Sequence, residues 1–136
     1  MNQLISKQGF HLLEVLIVTV IIGILTTLVF TSYSQQTIHA RRLEAASMLS
    51  QLAASLENYH IEHQTYAGAT LESLHFPEWI AKNNYHVTLK TNQNTDYLLA
   101  AKPENNQISD RLCSTLFLNS DGEKKISGSG NLDDCW

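Results

Sequence analysis

The chain has 136 residues, 43% of them hydrophobic, with nine Lys and Arg against thirteen Asp and Glu for a net charge of −4. That length accommodates one long helix and one small globular head, and leaves no room for a second domain. The acidic balance does not favour a polyanionic partner, and between Phe10 and Ile38 charge is almost absent, so the apolar content is concentrated at one end.

The chain opens on a short polar leader whose one cation is Lys7. The run Gly9-Phe10-His11-Leu12-Leu13-Glu14-Val15-Leu16-Ile17-Val18 then sets one carboxylate into an apolar stretch that continues through Ile21, Leu25 and Leu28 to Phe30. An ionised side chain at membrane depth costs on the order of 3 kcal/mol, so Glu14 needs a partner or a function. A cut between Gly9 and Phe10 would create an α-amino group on the same helical face as Glu14, best supplied by a neighbouring copy of the chain. An ordinary secretory signal has a shorter apolar core and a small-residue cut site after it, which Val29 to Ser34 does not offer. A plain single-pass anchor, crossing ~30 Å at ~1.5 Å per residue, accounts for the length but for neither Glu14 nor the Gly9-Phe10 junction.

Lys7-Gln8-Gly9-Phe10, the apolar run and the glutamate five places after the cut together resemble the class III leader of type IV prepilins and type II secretion pseudopilins. The resemblance implies that a membrane-bound prepilin peptidase cuts after Gly9 on the cytoplasmic side and N-methylates Phe10. It also implies that Glu14 neutralises the N-terminal amine of an adjacent subunit during filament assembly. The expected organisation is a removed leader at 1–9, a transmembrane and filament-core half-helix at 10–34, and a periplasmic head at 35–136 that includes an amphipathic half-helix.

With Lys7 inside, the chain is oriented N-in, C-out. Ile38, Ala45, Leu49, Leu52, Leu56 and Tyr59 recur at helical spacings, which predicts an amphipathic stripe continuing without Pro or Gly to about His63. Gly23 is the one glycine inside this helix and marks a soft point or a close helix contact. Residues 65–84 read as a connecting loop with a short helical turn around 78–82, anchored to the head by Tyr66, Phe76 and Trp79. Tyr85 to Thr91 and Tyr97 to Ala101 form a β-hairpin across Asn92-Gln93-Asn94. Pro103 to Ser109 is a polar loop, Leu112 to Leu118 a third strand, and Ser120-Asp121-Gly122 a turn. The ending, with Gly128, Gly130 and Asp133-Asp134, reads as an irregular loop. The predicted fold class is α+β: the long helix laid across an antiparallel sheet of three or four strands, which buries both apolar faces.

Cys113 and Cys135 are an even pair in a segment placed in the oxidising periplasm, so one disulfide is expected to hold that terminal loop. The order of elements is again similar to type IV pilins, where a disulfide encloses a loop called the D-region. Arg42-Leu43-Glu44-Ala45, Leu56-Glu57-Asn58-Tyr59-His60, Thr65-Tyr66-Ala67-Gly68-Ala69 and the ending Cys135-Trp136 look like minor pilins of the PilE type. One departure is Thr31, where many pilins carry a helix proline, so a proline kink before Tyr33 is not implied.

Other chemistry has thinner support. His60 and His63, with Glu57 and Glu62 nearby, have metal-ligand spacing, but a helix end is more often merely polar. Asp133-Asp134 supplies too few oxygens for calcium. Arg41-Arg42 and Lys124-Lys125 are candidate DNA contacts, yet no basic run interleaved with aromatics surrounds them. The sequence therefore predicts a structural minor pilin of a type IV pilus, with no enzyme activity, no cofactor and no metal, and with a role in adhesion, twitching motility or DNA uptake. Its expected partners are other pilin subunits, the prepilin peptidase and the inner-membrane assembly platform. It is expected in the bacterial inner membrane and then in the extracellular pilus. A type II secretion pseudopilin and a DNA- or surface-binding tip module are the two alternatives.

Overall fold

A computed structural model describes residues 11–92 and 95–136. Its elements run α1 (Leu12–His63), β1 (Trp79–Ile80), β2 (Tyr85–Asn92), β3 (Asp96–Pro103), a 3₁₀ turn (Asn105–Ser109), β4 (Leu116–Asn119), β5 (Lys124–Ile126) and α2 (Leu132–Cys135). The chain divides into two compact units, one reaching to Gln36 and the other Thr37–Trp136.

In the first unit α1 is apolar all round, with an 18-residue window of mean hydropathy 2.7, long and apolar enough to cross a membrane. Its threonines do not break that character. Thr19 Oγ1 donates to Leu16 O at 2.8 Å, Thr26 Oγ1 to Gly23 O at 2.9 Å and Thr27 Oγ1 to Ile24 O at 2.7 Å, so each hydroxyl is satisfied inside the helix. Around Gly23 an added Cβ would meet nothing within 4 Å.

In the second unit the predicted stripe becomes one side of the core. Ala45, Leu49, Leu52 and Leu56 are fully buried, while Ile38 and Tyr59 are half-buried at its ends. The other side is a five-stranded antiparallel sheet in the order β1-β2-β3-β4-β5. Tyr85 and Val87 of β2, Leu99 and Ala101 of β3, and Leu116 and Leu118 of β4 alternate inward to meet the helix. Each fully buried leucine contributes about 1.5–3 kcal/mol, so packing of this face against the sheet is what keeps the helix docked. The hairpin forms where the alternation predicted it, with Leu89 opposite Leu99 and Thr91 opposite Tyr97.

Four expectations are corrected. The sheet has five strands, because β1 and β5 add a short pair at each edge. The helical turn expected at 78–82 is instead β1 followed by a reversal in which Ala81, Lys82 and Asn83 take left-handed φ values of 51°, 56° and 62°. Trp79 does not anchor the loop: on a two-residue strand one side chain faces out, and that is Trp79 at 43% exposure, while Ile80 is buried. The third strand begins at Leu116, not Leu112, because Asp110 caps a turn that consumes the intervening residues. Cys113 N donates to Asp110 Oδ1 at 3.3 Å, Ser114 N donates to Asp110 O at 3.0 Å, and Ser114 has φ 53°.

The terminal segment is also more ordered than its glycines suggest. Gly122, at φ 77°, closes the β4–β5 turn. Gly128 N donates to Cys113 O at 3.1 Å and Gly130 N to Leu112 O at 2.7 Å. The backbones approach so closely that a Cβ on Gly128 would lie 2.1 Å from Leu112 O. Gly128→Ala is therefore expected to destabilise the head by about 1–3 kcal/mol through forced backbone movement. A urea midpoint equal to that of the wild type would contradict this.

Candidate functional site

Four regions carry the residues singled out by sequence. At the N-terminal end, Gly9 and Phe10 lie outside the described residues. Glu14 stands in the first turn of α1, where the helix dipole favours a carboxylate. Its side chain is exposed, as are the apolar side chains from Leu12 to Val29. Apolar surface on this scale marks a membrane or protein interaction face.

The second region is a buried polar knot that ties α1 to the terminal loop. Arg42 Nε donates to Asp110 Oδ2 at 2.9 Å and Arg42 Nη2 to Asp110 Oδ1 at 2.9 Å, a two-pronged pair. The side chains are 9% and 2% exposed. Arg42 Nη1 reaches Asp134 O in α2 at 3.3 Å, beside the Cys113–Cys135 disulfide, whose Cα atoms are 5.6 Å apart. Gln107, fully buried on the 3₁₀ turn, donates from Nε2 to Ile38 O at 3.0 Å and lies 3.1 Å from the Tyr85 hydroxyl. Burial, reinforced by the nearby Asp110 carboxylate, pushes the Tyr85 phenol up to about 12 against the opposing effects of Gln107 and Arg42, so it stays a neutral hydroxyl.

This knot removes Arg42, though not Arg41, from the candidate DNA contacts. Arg42 falls on the stripe of Ala45, Ala46 and Leu49, three, four and seven residues on, so helical spacing was the signal that would have found it. The partner, Asp110, carries no comparable mark.

The third region lies at the far end of α1. Glu57 Oε1 accepts from the Tyr66 hydroxyl at 2.9 Å and the Tyr97 hydroxyl at 3.3 Å, and the two rings meet edge to face at 5.0 Å. Burial, helped by the Glu57 carboxylate, raises Tyr66 to about 12 and Tyr97 further still. His63 stacks on Tyr59 with centroids 4.1 Å apart, and His60 packs on Tyr66 at 4.5 Å. The two histidines thus serve aromatic packing, and among the described residues no group of three or more His, Cys, Asp or Glu could hold a metal.

The other basic pair sits on the edge strand β5. Lys124 Nζ lies 5.1 Å from the Trp136 ring centroid, and Trp136 Nε1 donates to Lys125 O at 3.2 Å. Lys125 also meets Glu123 at 3.2 Å, an exposed pair of small energetic consequence. Asp133 and Asp134 form the first turn of α2, where their charge suits the helix end.

The family model for "Type IV minor pilin ComP, DNA uptake sequence receptor" matches residues 31–117, which spans α1 beyond its most apolar part, β1 to β3 and the start of β4. The chain belongs to the ComP family of type IV minor pilins. Its fold is also that of the non-core minor pilin PilV from Neisseria meningitidis, known from a crystal structure. The two share 22% identity at a TM-score of 0.52, over 68% of this chain and 92% of that one. No curated protein matches the chain significantly by sequence.

The protein is thus a minor pilin subunit of a type IV pilus, and assembly with other pilins follows from that membership. The family and the fold are structural ones, built for incorporation into a filament. The apolar α1 fits membrane anchoring before that step. The secretion-pseudopilin alternative gives way to the pilus assignment.

Proposed function

We propose that this pilin is the DNA-contacting minor subunit of its pilus. The observation that carries the reading is the family match, which covers most of the head and is described for a DNA uptake sequence receptor. The physical surface available for it is β5 and its neighbour. Lys124 and Lys125, the latter shared with Glu123, stand on this edge strand beside Trp136, which is held by its hydrogen bond to the strand, and lysines so placed meet duplex phosphates as point charges. A net charge of −4 means that contact must come from such a local patch, and that it weakens steeply with salt.

Full-length pilin in a zwitterionic detergent is expected to retard a short DNA duplex at low salt. Lys124→Ala with Lys125→Ala should weaken that binding about tenfold or more. Deleting the gene should abolish DNA uptake while leaving pili visible. Retardation unchanged by the double substitution would remove β5 from the site, and undiminished uptake in the deletion strain would remove the function.

Delivery to the filament rests on the other end. In this proposal the prepilin peptidase removes 1–9 and methylates Phe10, and the chain then waits in the inner membrane with 10–34 embedded and 35–136 in the periplasm. The assembly platform next extracts it as Glu14 pairs with the Phe10 amine of a neighbour. The isolated carboxylate at the head of an apolar helix supports this, since it becomes costly in a packed filament unless paired. Terminal mass spectrometry is expected to find N-methylated Phe10. Glu14→Ala should be inserted and processed yet be depleted from sheared pili, and wild-type incorporation would argue against the pairing.

A further inference from the structure

The reversal after β1 is strained, and the strain borders a groove. Three successive non-glycine residues, Ala81, Lys82 and Asn83, sit in the left-handed region, and Asn105 opposite them has φ 51°. Such residues cost of order 1–3 kcal/mol each and persist only where surrounding structure holds them. Asn84 does so, donating from Nδ2 to Ala81 O at 2.8 Å and Lys82 O at 3.0 Å. Asn105 Nδ2 clamps the same turn by donating to Asn83 O at 2.6 Å.

What this arrangement builds is a groove of about 220 Å³ lined by Trp79, Asn83 and Asn105. The Trp79 ring packs against His86 at 4.9 Å between centroids, yet 43% of the residue remains exposed. Among the described residues no charged side chain lines the groove; Lys82, exposed in the reversal beside Asn83, stands outside its lining, and Lys102 on β3 is already paired with Glu104 at 2.8 Å.

We propose that this groove binds a neutral saccharide, with one sugar ring against the Trp79 indole and its hydroxyls on Asn83 and Asn105. The electron-rich face of an indole attracts the weakly positive C–H face of a sugar ring. A carboxamide offers both donor and acceptor, which is what a hydroxyl needs, and Asn105 keeps its oxygen and one N–H beyond the clamp. The volume lies under the about 300–1,000 Å³ of drug-sized sites, and suits one ring of a longer glycan. Lack of lining charge disfavours a phosphate backbone or a charged peptide. The site lies at the β1 edge of the sheet, opposite the β5 edge invoked for DNA, so either can fail without the other.

The test uses the full chain in dodecylphosphocholine, a detergent without sugar, carrying Trp136→Phe so that Trp79 is the remaining tryptophan. N-acetylglucosamine, galactose and glucose are titrated while Trp79 emission is followed, with a twelve-nucleotide single strand and trilysine as rival probes. A saturable change with at least one neutral sugar, in roughly the millimolar range expected of one ring, is the expected result. Asn105→Ala should weaken it about tenfold or more, and calorimetry should find no binding to Trp79→Ala, with Trp79→Tyr retaining a weaker response. The head's far-ultraviolet dichroism, which reads the backbone and not the removed indoles, should stay unchanged in each variant. The proposal is overturned if no neutral sugar gives a saturable response, if Trp79→Ala binds as well as its parent, or if only the oligonucleotide or trilysine binds.

Discussion

Arg42→Ala is expected to lower the unfolding free energy of the head by about 3–5 kcal/mol, with Asp110→Ala close to it. The loss comes less from the missing attraction than from the partner left behind. Without the guanidinium, the Asp110 carboxylate stays buried at 2% side-chain exposure with the Cys113 N–H at 3.3 Å and the Gln107 amide at 3.3 Å as its remaining donors. The Asp134 carbonyl also loses a donor, so the terminal loop loosens from α1. Arg42→Lys should fall between, because an ammonium cannot reproduce the two-pronged contact. Replacing both partners together, Arg42→Met with Asp110→Leu, should recover much of the loss, since no buried charge is then stranded. Domains of this kind have about 5–15 kcal/mol in total, so the single variants should also be scarce in the cell. Urea unfolding of the full chain followed by near-ultraviolet dichroism measures all four, and a cost under about 1 kcal/mol for Arg42→Ala would show the pair to be hydrated.

Cys113→Ser should cost the head about 3 kcal/mol in the loop-entropy model, a fall in melting temperature on the order of 10–20 °C for a domain of this size. The tie spans 22 positions of sequence and closes the segment that holds β5 and α2. Four residues of helix cannot persist alone. Once untied, α2 would release both the Asp134 carbonyl on Arg42 and the Trp136 indole on Lys125. For that reason Arg42→Ala and Cys113→Ser should be less than additive when combined: the second change removes contacts the first has already weakened. In urea, which removes the shielding of Cys113 and Cys135 at 1% and 0% exposure, both cysteines should still resist alkylation until a reductant is added, because a disulfide sulfur offers no thiolate. Full labelling without reductant would overturn the assignment.

The long helix, its core stripe and the central hairpin were legible from sequence because each depends on local periodicity. Leu49, Leu52 and Leu56 mark a helix face by themselves, and Tyr85, Val87 and Leu89 mark a strand face, whatever lies across from them. The pairing of Cys113 with Cys135 needed only a count of two. The leader motif is local too, and it is sequence alone that speaks for Gly9 and Phe10. Tertiary structure decided the rest, wherever one residue's state depends on another far along the chain. Asp110, 68 positions away from Arg42, turned an apparent surface cation into a buried tie and, by capping the next turn, moved the start of β4 to Leu116. Strands as short as β1 and β5 have too few residues to show a period, and exist because a longer neighbour offers an edge with unpaired backbone groups. Trp79 faces water for the same reason, because the pairing of Ile80 with Tyr85 fixed which side of β1 meets the core.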